Sequence, residues 1–296
     1  MRDKAVNGSQ SPMNLVLGTA QFRPGYGLPR GLSRHAERSP ASMLEAAARV
    51  GVVALDTAPV YGEAENEIRH AGCTLPIHTK IDHTTGPATS LARSLERLGR
   101  TRVDVLYVHS SAEVMVKQSP VLAAAASLVG SRVGRLGVSV YEVEEFQAAL
   151  ADPRITVVQA PLNLFDRRFS SELLSEAASA GINVYVRSML LQGVLTSDPN
   201  LLRGSVDPLR PYVAAFDELA RRVGRTRIDL ALGWVKAFPG IKGAVFGADS
   251  IDQILEIAGA FQGPALEDDV VAELNGLPVP PWELADPRRW SAGPAR

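Results

Sequence analysis

Apolar runs typical of β-strands alternate with helical patterns about eight times between residues 14 and 246. The runs are rich in Val, Ile and Leu, and most of them stop at a polar residue, as parallel strands buried on both faces do. We predict strands at residues 14–19, 52–56, 75–81, 103–109, 134–139, 155–160, 182–188 and 242–247. Eight strand–helix units of this kind predict an α/β fold, a single-domain (β/α)8 TIM barrel.

The segments between the strands carry helix signals and no linker. Ser39 and Pro40 predict the start of the first helix and Gly51 its end, and further helices are predicted at 86–99, 119–129, 142–150, 168–180 and 208–223. An open Rossmann sheet would need a GxGxxG turn after the first strand, which LGTAQFRPGYG lacks. We therefore predict a disordered segment at 1–12, the barrel domain at 13–275, and an irregular tail at 276–296 that packs on the barrel or lines the substrate pocket.

Charge and composition exclude several classes of partner. A net charge of -1 and a pI near 6.5 give no excess of positive charge with which to bind nucleic acid or an anionic membrane. No run approaches the roughly 20 apolar residues of a membrane span, and the first residues lack a signal-peptide core, so we predict a cytoplasmic protein. Cys73 is the only cysteine and no histidine pair has ligand spacing on a helix, so we predict no metal site. Oligomeric state has no signal in the sequence.

Four polar residues at or just beyond successive strand ends form a candidate proton-transfer device. A phenol such as Tyr61 has a pKa of about 10 and donates a proton poorly unless a nearby cation stabilises its phenolate. Lys80 can be that cation, and Asp56 can keep the buried lysine charged. His109 is then placed to orient or polarise a carbonyl oxygen. Taken singly, Asp56 also suits a strand cap, Lys80 a structural ion pair and His109 a core histidine. The order and spacing of the four residues together favour a functional site.

The quartet resembles the Asp, Tyr, Lys and His tetrad of the aldo-keto reductases, including the Tyr61-Gly62 pair five residues beyond Asp56. Further similar segments are LGTAQF, SLERLG, RLGVS and NLFDRR. The resemblance implies reduction of an aldehyde or ketone to an alcohol by hydride transfer from NADPH, with NADH not excluded, and Tyr61 as general acid. It implies a small-molecule carbonyl substrate, which is polar, sugar-like or phosphorylated if nearby arginines line the pocket.

The resemblance also implies residues for the nicotinamide end of the cofactor. Ser139 and Gln159 match positions that hydrogen-bond the carboxamide, whereas Val140 stands where the family has Asn. Arg187 and Ser188 stand where an aromatic residue and Ser are usual. An arginine plane can stack on a flat ring, but its charge opposes an oxidised nicotinamide. Arg187 therefore has a second interpretation, as a ligand for an anionic substrate group.

The other end of the cofactor is implied by the segment GAVFGADSIDQILEI, which resembles the family's last strand and the following helix. Free N–H groups and a hydroxyl at a helix start make an anion site, here for the adenosine phosphate. The residues assigned to it are Gly247, Ala248, Asp249, Ser250, Gln253 and Glu256. Ile257 replaces the Asn usual in the family, and the Asp249 carboxylate opposes a 2′-phosphate, so NADPH over NADH is expected from the family alone.

The residues are also compatible with two other functions. The departures at Val140, Arg187 and Ile257 suit a nucleotide-binding regulatory barrel with little catalysis. Lys80 also suits a redox-neutral lyase or isomerase that forms a Schiff base. In the tail, Trp282 and Trp290 can either form a lid over the substrate or pin the tail to the barrel.

Overall fold

A computed structural model describes residues 13–23, 39–82 and 84–290 of the chain. The segment 1–12 predicted to be disordered lies outside the described residues, as do residues 291–296 of the predicted tail. Within the described ranges, no helix combines the length and the apolar character needed to cross a bilayer.

Eight parallel strands close into a barrel. They are β1 (Asn14–Gly18), β2 (Val52–Asp56), β3 (Ile77–Lys80), β4 (Val103–Val108), β5 (Val133–Ser139), β6 (Val157–Pro161), β7 (Asn183–Arg187) and β8 (Ile241–Gly247). Each strand pairs with the next one along the chain, and β8 pairs back with β1. The predicted (β/α)8 barrel is confirmed, with all eight strands within two residues of their predicted bounds.

Helices follow the strands and bury their apolar sides against the outside of the barrel. They are α1 (Pro40–Arg49), α2 (Ala64–His70), α3 (Pro87–Leu98), α4 (Ala112–Met115), α5 (Pro120–Ala126), α6 (Val143–Ala151), α7 (Ser171–Ser179), α8 (Arg210–Val223), α9 (Arg227–Lys236), α10 (Ile251–Gln262) and α11 (Asp268–Asn275). Sequence inspection missed α2, α4, α9 and α11. In α9 the run from Leu230 to Val235 is buried without a break, so the helix has no polar face from which a 3.6-residue period can be recognised.

Two tyrosines fill the interior of the barrel. Tyr107 on β4 and Tyr185 on β7 are buried, and the His78 ring on β3 meets both edge-on, with centroid distances of 6.2 and 5.0 Å. Glycines on neighbouring strands make room for them: a Cβ on Gly137 would lie 2.7 Å from the Tyr107 ring, and one on Gly243 would lie 2.7 Å from the Tyr185 ring. Because the interior is packed with side chains, ligand chemistry is confined to the mouth of the barrel.

The buried His78 predicts a pH-dependent contribution to stability. Burial lowers its pKa from 6.5 to about 4, against the opposing effect of Asp56. The unfolded chain therefore takes up a proton before the native chain does, so this contribution is complete above pH 6.5 and is lost as the pH falls towards 4. We expect His78 alone to reduce the free energy of unfolding by about 3 kcal/mol between pH 7 and pH 4.

Urea denaturation at a series of pH values checks this expectation. The variant His78→Gln has no titrating ring, so its stability should fall less steeply over the same pH interval. Equal slopes in the two proteins would contradict the assignment, whatever their absolute stabilities.

Candidate active site

The fold brings the predicted quartet to the carboxyl end of the barrel. Asp56 and Lys80 are the last residues of β2 and β3, and His109 directly follows the last residue of β4. Tyr61 lies in the loop between β2 and α2. Since neighbouring parallel strands end at the same edge of the sheet, the four residues approach the mouth from consecutive strands.

Asp56 and Lys80 form a buried ion pair. The Lys80 Nζ lies 2.5 Å from Asp56 Oδ1 and also donates a hydrogen bond to the Thr57 carbonyl oxygen at 3.0 Å. The two side chains are 5% and 3% exposed, respectively. Burial by itself lowers the pKa of Lys80, but Asp56 and then Tyr61 outweigh it, so the pKa lies above its ordinary value. Lys80 is therefore an ammonium ion at neutral pH.

Tyr61 lies next to this ammonium group. The Lys80 Nζ is 5.1 Å from the centre of the Tyr61 ring. Burial raises the pKa of Tyr61 and Lys80 lowers it, with a net value above 10.0. Lys80 acts on the pKa in the expected direction, but burial of the phenol outweighs it. The phenol thus keeps its proton at neutral pH, while Lys80 favours the phenolate that proton donation would leave.

Gln159 contacts the quartet directly, although the sequence predicted only a cofactor contact for it. Its Nε2 donates a hydrogen bond to Asp56 Oδ2 at 2.8 Å, and both side chains are buried. Both carboxylate oxygens of Asp56 are therefore engaged, one by Lys80 and the other by Gln159. This fixes the carboxylate in the orientation that pairs with the lysine.

Glu65 is a second buried carboxylate that sequence inspection missed. Thr79 Oγ1 on β3 donates a hydrogen bond to its Oε1 at 2.9 Å, and Arg97 Nη1 lies 3.6 Å from its Oε2. Burial raises the pKa of Glu65. The contact ties α2, which follows the Tyr61 loop, to the strand that ends in Lys80. The spacing of residues in the sequence does not reveal this contact, because it joins a helix on the outside of the barrel to a strand in its wall.

Arg187 ends β7 and is held against the end of β5. Its Nη2 donates a hydrogen bond to the Val140 carbonyl oxygen at 3.0 Å, and its Cζ lies 4.2 Å from the centre of the Tyr141 ring. The next residue, Ser188, has a left-handed backbone with a φ of 60°. Ser139, at the end of β5, is buried. The predicted nicotinamide residues of β5 and β7 therefore occupy the same end of the barrel as the quartet.

The predicted anion site joins β8 to α10, and part of it is already hydrogen-bonded. Ser250 Oγ accepts a hydrogen bond from the Gln253 N–H at 3.3 Å, and Gln253 Oε1 accepts one from the Asp249 N–H at 2.8 Å. Ala248 is buried and Glu256 is exposed. Ser250 is thus the N-cap of α10, and the Asp249 N–H, one of the groups expected to meet an anion, is bonded within the segment.

Gly247 is the last residue of β8, and the side chain of Gln21, from the segment that follows β1, lies against it. A Cβ on Gly247 would lie 1.9 Å from Gln21 Nε2, so a larger residue at this position would displace the amide end of the Gln21 side chain. Gln21 belongs to the LGTAQF segment, but its contact with β8 was not predicted. The pairing of β1 with β8 closes the barrel and brings the two positions together.

Comparison with known proteins identifies the family. The model of the aldo/keto reductase family matches residues 14–278. The chain belongs to this family. It is 24% identical over 297 residues to the aldo-keto reductase YhdN of Bacillus subtilis (strain 168), covering 86% of this chain and 89% of the relative. It is also 24% identical over 271 residues to the oxidoreductase sirO of Leptosphaeria maculans, covering 78% and 81%.

A similar solved structure is that of the glycerol dehydrogenase AKR11B4 from Gluconobacter oxydans. The TM-score is 0.67 at 21% identity, with 88% of this chain and 90% of that chain covered. At this identity the likeness concerns the fold. The aldo-keto reductases are oxidoreductases that generally reduce small-molecule carbonyl compounds with nicotinamide cofactors.

In this aldo-keto reductase the C-terminal tail contacts the mouth side of the barrel through stacked arginines. The Cζ atoms of Arg168 and Arg289 lie 4.3 and 4.8 Å from the centre of the Trp282 ring. Trp290 Nε1 donates a hydrogen bond to the Leu284 carbonyl oxygen at 2.9 Å, and its ring packs against the core. Both tryptophans therefore hold the tail in place.

Proposed function

We propose that this chain reduces an aldehyde or ketone, including polar or sugar-like carbonyl compounds, to an alcohol with NAD(P)H. The observation that carries the proposal is the position of Lys80, which joins the Asp56 carboxylate to the Tyr61 phenol. A buried lysine kept charged next to a protonated phenol is the arrangement that a general acid needs.

The residues of the quartet then have distinct roles. Tyr61 gives its proton to the oxygen of the carbonyl group as negative charge develops there. Lys80 stabilises the resulting phenolate, Asp56 keeps Lys80 charged and in place, and His109 orients the carbonyl oxygen. Hydride is what a bound NAD(P)H supplies to the carbonyl carbon. Tyr61, Lys80 and Asp56 thus all act on the carbonyl oxygen.

The groups around the quartet fit a nicotinamide cofactor. Ser139 is buried at the end of β5 and its hydroxyl makes no hydrogen bond to another described residue, so it is available to a carboxamide. Beyond β7, Ser188, Leu191 and Gln192 have φ values of 60°, 49° and 51°. Left-handed backbone costs about 1–3 kcal/mol per residue and is concentrated at ligand sites. NADPH is the proposed cofactor; the Asp249 carboxylate keeps NADH as the alternative.

The same geometry disfavours a lyase or isomerase that uses Lys80. A Schiff base forms only from a neutral amine. Asp56, at 2.5 Å from the Lys80 Nζ, holds the group as an ammonium ion. Reduction therefore remains the function that the site supports best.

Cofactor titration followed by a turnover assay tests the proposal. We expect NADPH, and less strongly NADH, to change the tryptophan fluorescence of the protein. The complex should then consume NADPH when simple aldehydes, aldoses or ketoses are added. Binding of NADPH without turnover of any carbonyl compound would contradict the proposal and favour the regulatory barrel.

A further inference from the structure

Arg187 places a positive charge at the mouth of the barrel, beside the proposed acid. It lies two residues beyond Tyr185, whose ring is inside the barrel, and residues two apart on a strand share a face. It is half-buried. After burial, Lys80 and Asp56, the charge of Arg187 is a further influence on the pKa of Tyr61, and it acts to lower it. The end of β7 that holds Arg187 and the loop that holds Tyr61 therefore both stand at the mouth of the barrel, where one small molecule can meet both.

The guanidinium group is held in a fixed orientation by Tyr141. Arg187 Cζ lies 4.2 Å from the centre of this ring, and Arg288 Cζ from the tail lies 3.8 Å from the same centre. The Tyr141 ring is thus in contact with two guanidinium groups, one from β7 and one from the tail. The hydrogen bond from Nη2 to the Val140 carbonyl oxygen fixes the remaining rotation. Such a pre-set planar group loses little entropy when it binds a ligand.

Arg187 differs from the arginines around it in having no carboxylate partner. Arg288 lies 2.7 Å from an Asp286 oxygen, and Arg168 lies 2.8 Å from Asp166 and 2.6 Å from Glu142. Among the residues that the structure describes, no acidic oxygen lies within ion-pair distance of Arg187, and Val140 is the only acceptor for its side chain. A guanidinium has five N–H donors, so most of them remain for a ligand.

We propose that Arg187 binds an anionic group, a carboxylate or a phosphate, of the carbonyl substrate. This inference rests on the reductase function proposed above and names its substrate class. A half-buried, unpaired charge is unfavourable by itself and becomes favourable when an anion with matching geometry pairs with it. Because Arg187 and Tyr61 are both at the mouth, an anion on the first places the rest of a small substrate at the second.

Two pairs of aldehydes test the proposal by turnover. Succinic semialdehyde and butanal differ by a carboxylate, and glyceraldehyde 3-phosphate and glyceraldehyde differ by a phosphate. We expect the protein to favour at least one anionic member, and Arg187→Gln to reduce that preference, measured as the ratio of the two kcat/KM values, by about 10- to 100-fold. Arg187→Lys should recover part of the preference, because it restores the charge but not the planar fork.

A binding measurement makes the test independent of turnover. Calorimetry with 4-hydroxybutyrate and 1-butanol, the alcohols of the first pair, and with glycerol 3-phosphate and glycerol, those of the second, should show anion-dependent affinity in the parent that Arg187→Gln lacks. The control Arg289→Gln removes a tail charge whose side chain is 55% exposed, and it should bind like the parent. The thermal midpoint of each variant establishes that it is folded.

The outcomes separate this inference from the proposed function. Equal use of neutral and anionic carbonyl compounds by parent and Arg187→Gln would overturn the inference and leave the reductase function standing. A weaker NADPH affinity in Arg187→Gln, with unchanged substrate preference, would assign the anion to the cofactor and also overturn it. If no carbonyl compound is reduced, the proposed function fails, and anion-independent calorimetry would then overturn the inference as well.

Discussion

Replacing Tyr61 with Phe is expected to lower kcat/KM for carbonyl reduction by about 10²–10⁴-fold. The phenol is the group that Lys80 faces, and Phe keeps the ring while removing the proton that the developing alkoxide needs. Cofactor affinity should stay within about twofold, because the hydroxyl is assigned to the substrate oxygen and not to the nicotinamide. The measurements are steady-state NADPH consumption with the best carbonyl substrate and a fluorescence titration with NADPH.

Tyr107 offers a matched control for this change. The Lys80 Nζ also lies near its ring, at 5.9 Å, but its hydroxyl is buried and makes no hydrogen bond in the structure. Tyr107→Phe should therefore leave kcat/KM almost unchanged, and removal of an unsatisfied buried hydroxyl should not destabilise the protein. Equal losses of activity in Tyr61→Phe and Tyr107→Phe would show that the site responds to any change near Lys80, and the acid assignment would be wrong.

Replacing Asp56 with Asn is expected to reduce the free energy of unfolding by about 3–5 kcal/mol. The substitution keeps the shape of the side chain but leaves the Lys80 ammonium, which is 3% exposed, without its counter-ion. The pKa of Lys80 should then fall, because burial lowers it and Asp56 is the main group that raises it. Urea denaturation at neutral pH measures the loss.

The double variant Asp56→Asn, Lys80→Met separates stability from activity. Without the ammonium no charge is left unpaired, so stability should recover by several kcal/mol relative to Asp56→Asn alone. The rate of carbonyl reduction by the double variant should be as low as that of the single variant Lys80→Met, because both lack the cation that stabilises the phenolate. A double variant no more stable than the single one would show that the unpaired charge is not the cause of the loss.

Much of the barrel follows from local patterns in the chain. The strand that ends in Asp56 is five residues long and the strand that ends in Lys80 is four, and all of their residues except Val53 are buried. Runs of this kind predict parallel strands, and a polar residue at the end of such a strand lies at the mouth of a barrel. Their opposite charges then predict the ion pair, which the structure contains at 2.5 Å.

Elements without a local pattern were not predicted. In α9 the run from Leu230 to Val235 is buried without a break, so this part of the helix lacks the alternation of polar and apolar faces by which a helix is recognised. The effect of burial on the pKa of Tyr61, which outweighs that of Lys80, was also not predicted. The direction of the net shift depends on how much protein surrounds the phenol, and the burial of a loop residue has no periodic signal in the sequence.

Local patterns along the chain set which residues end the strands, and thereby which side chains can reach the mouth. Which of these side chains touch each other depends on how the chain packs in three dimensions. Gln159 on β6 donates a hydrogen bond to Asp56 on β2, 103 residues away, and both Arg187 and Arg288 lie against the Tyr141 ring. An apolar run that ends in a polar residue is a local property of the chain. Contacts across the barrel instead depend on how the barrel closes and on where the C-terminal tail packs.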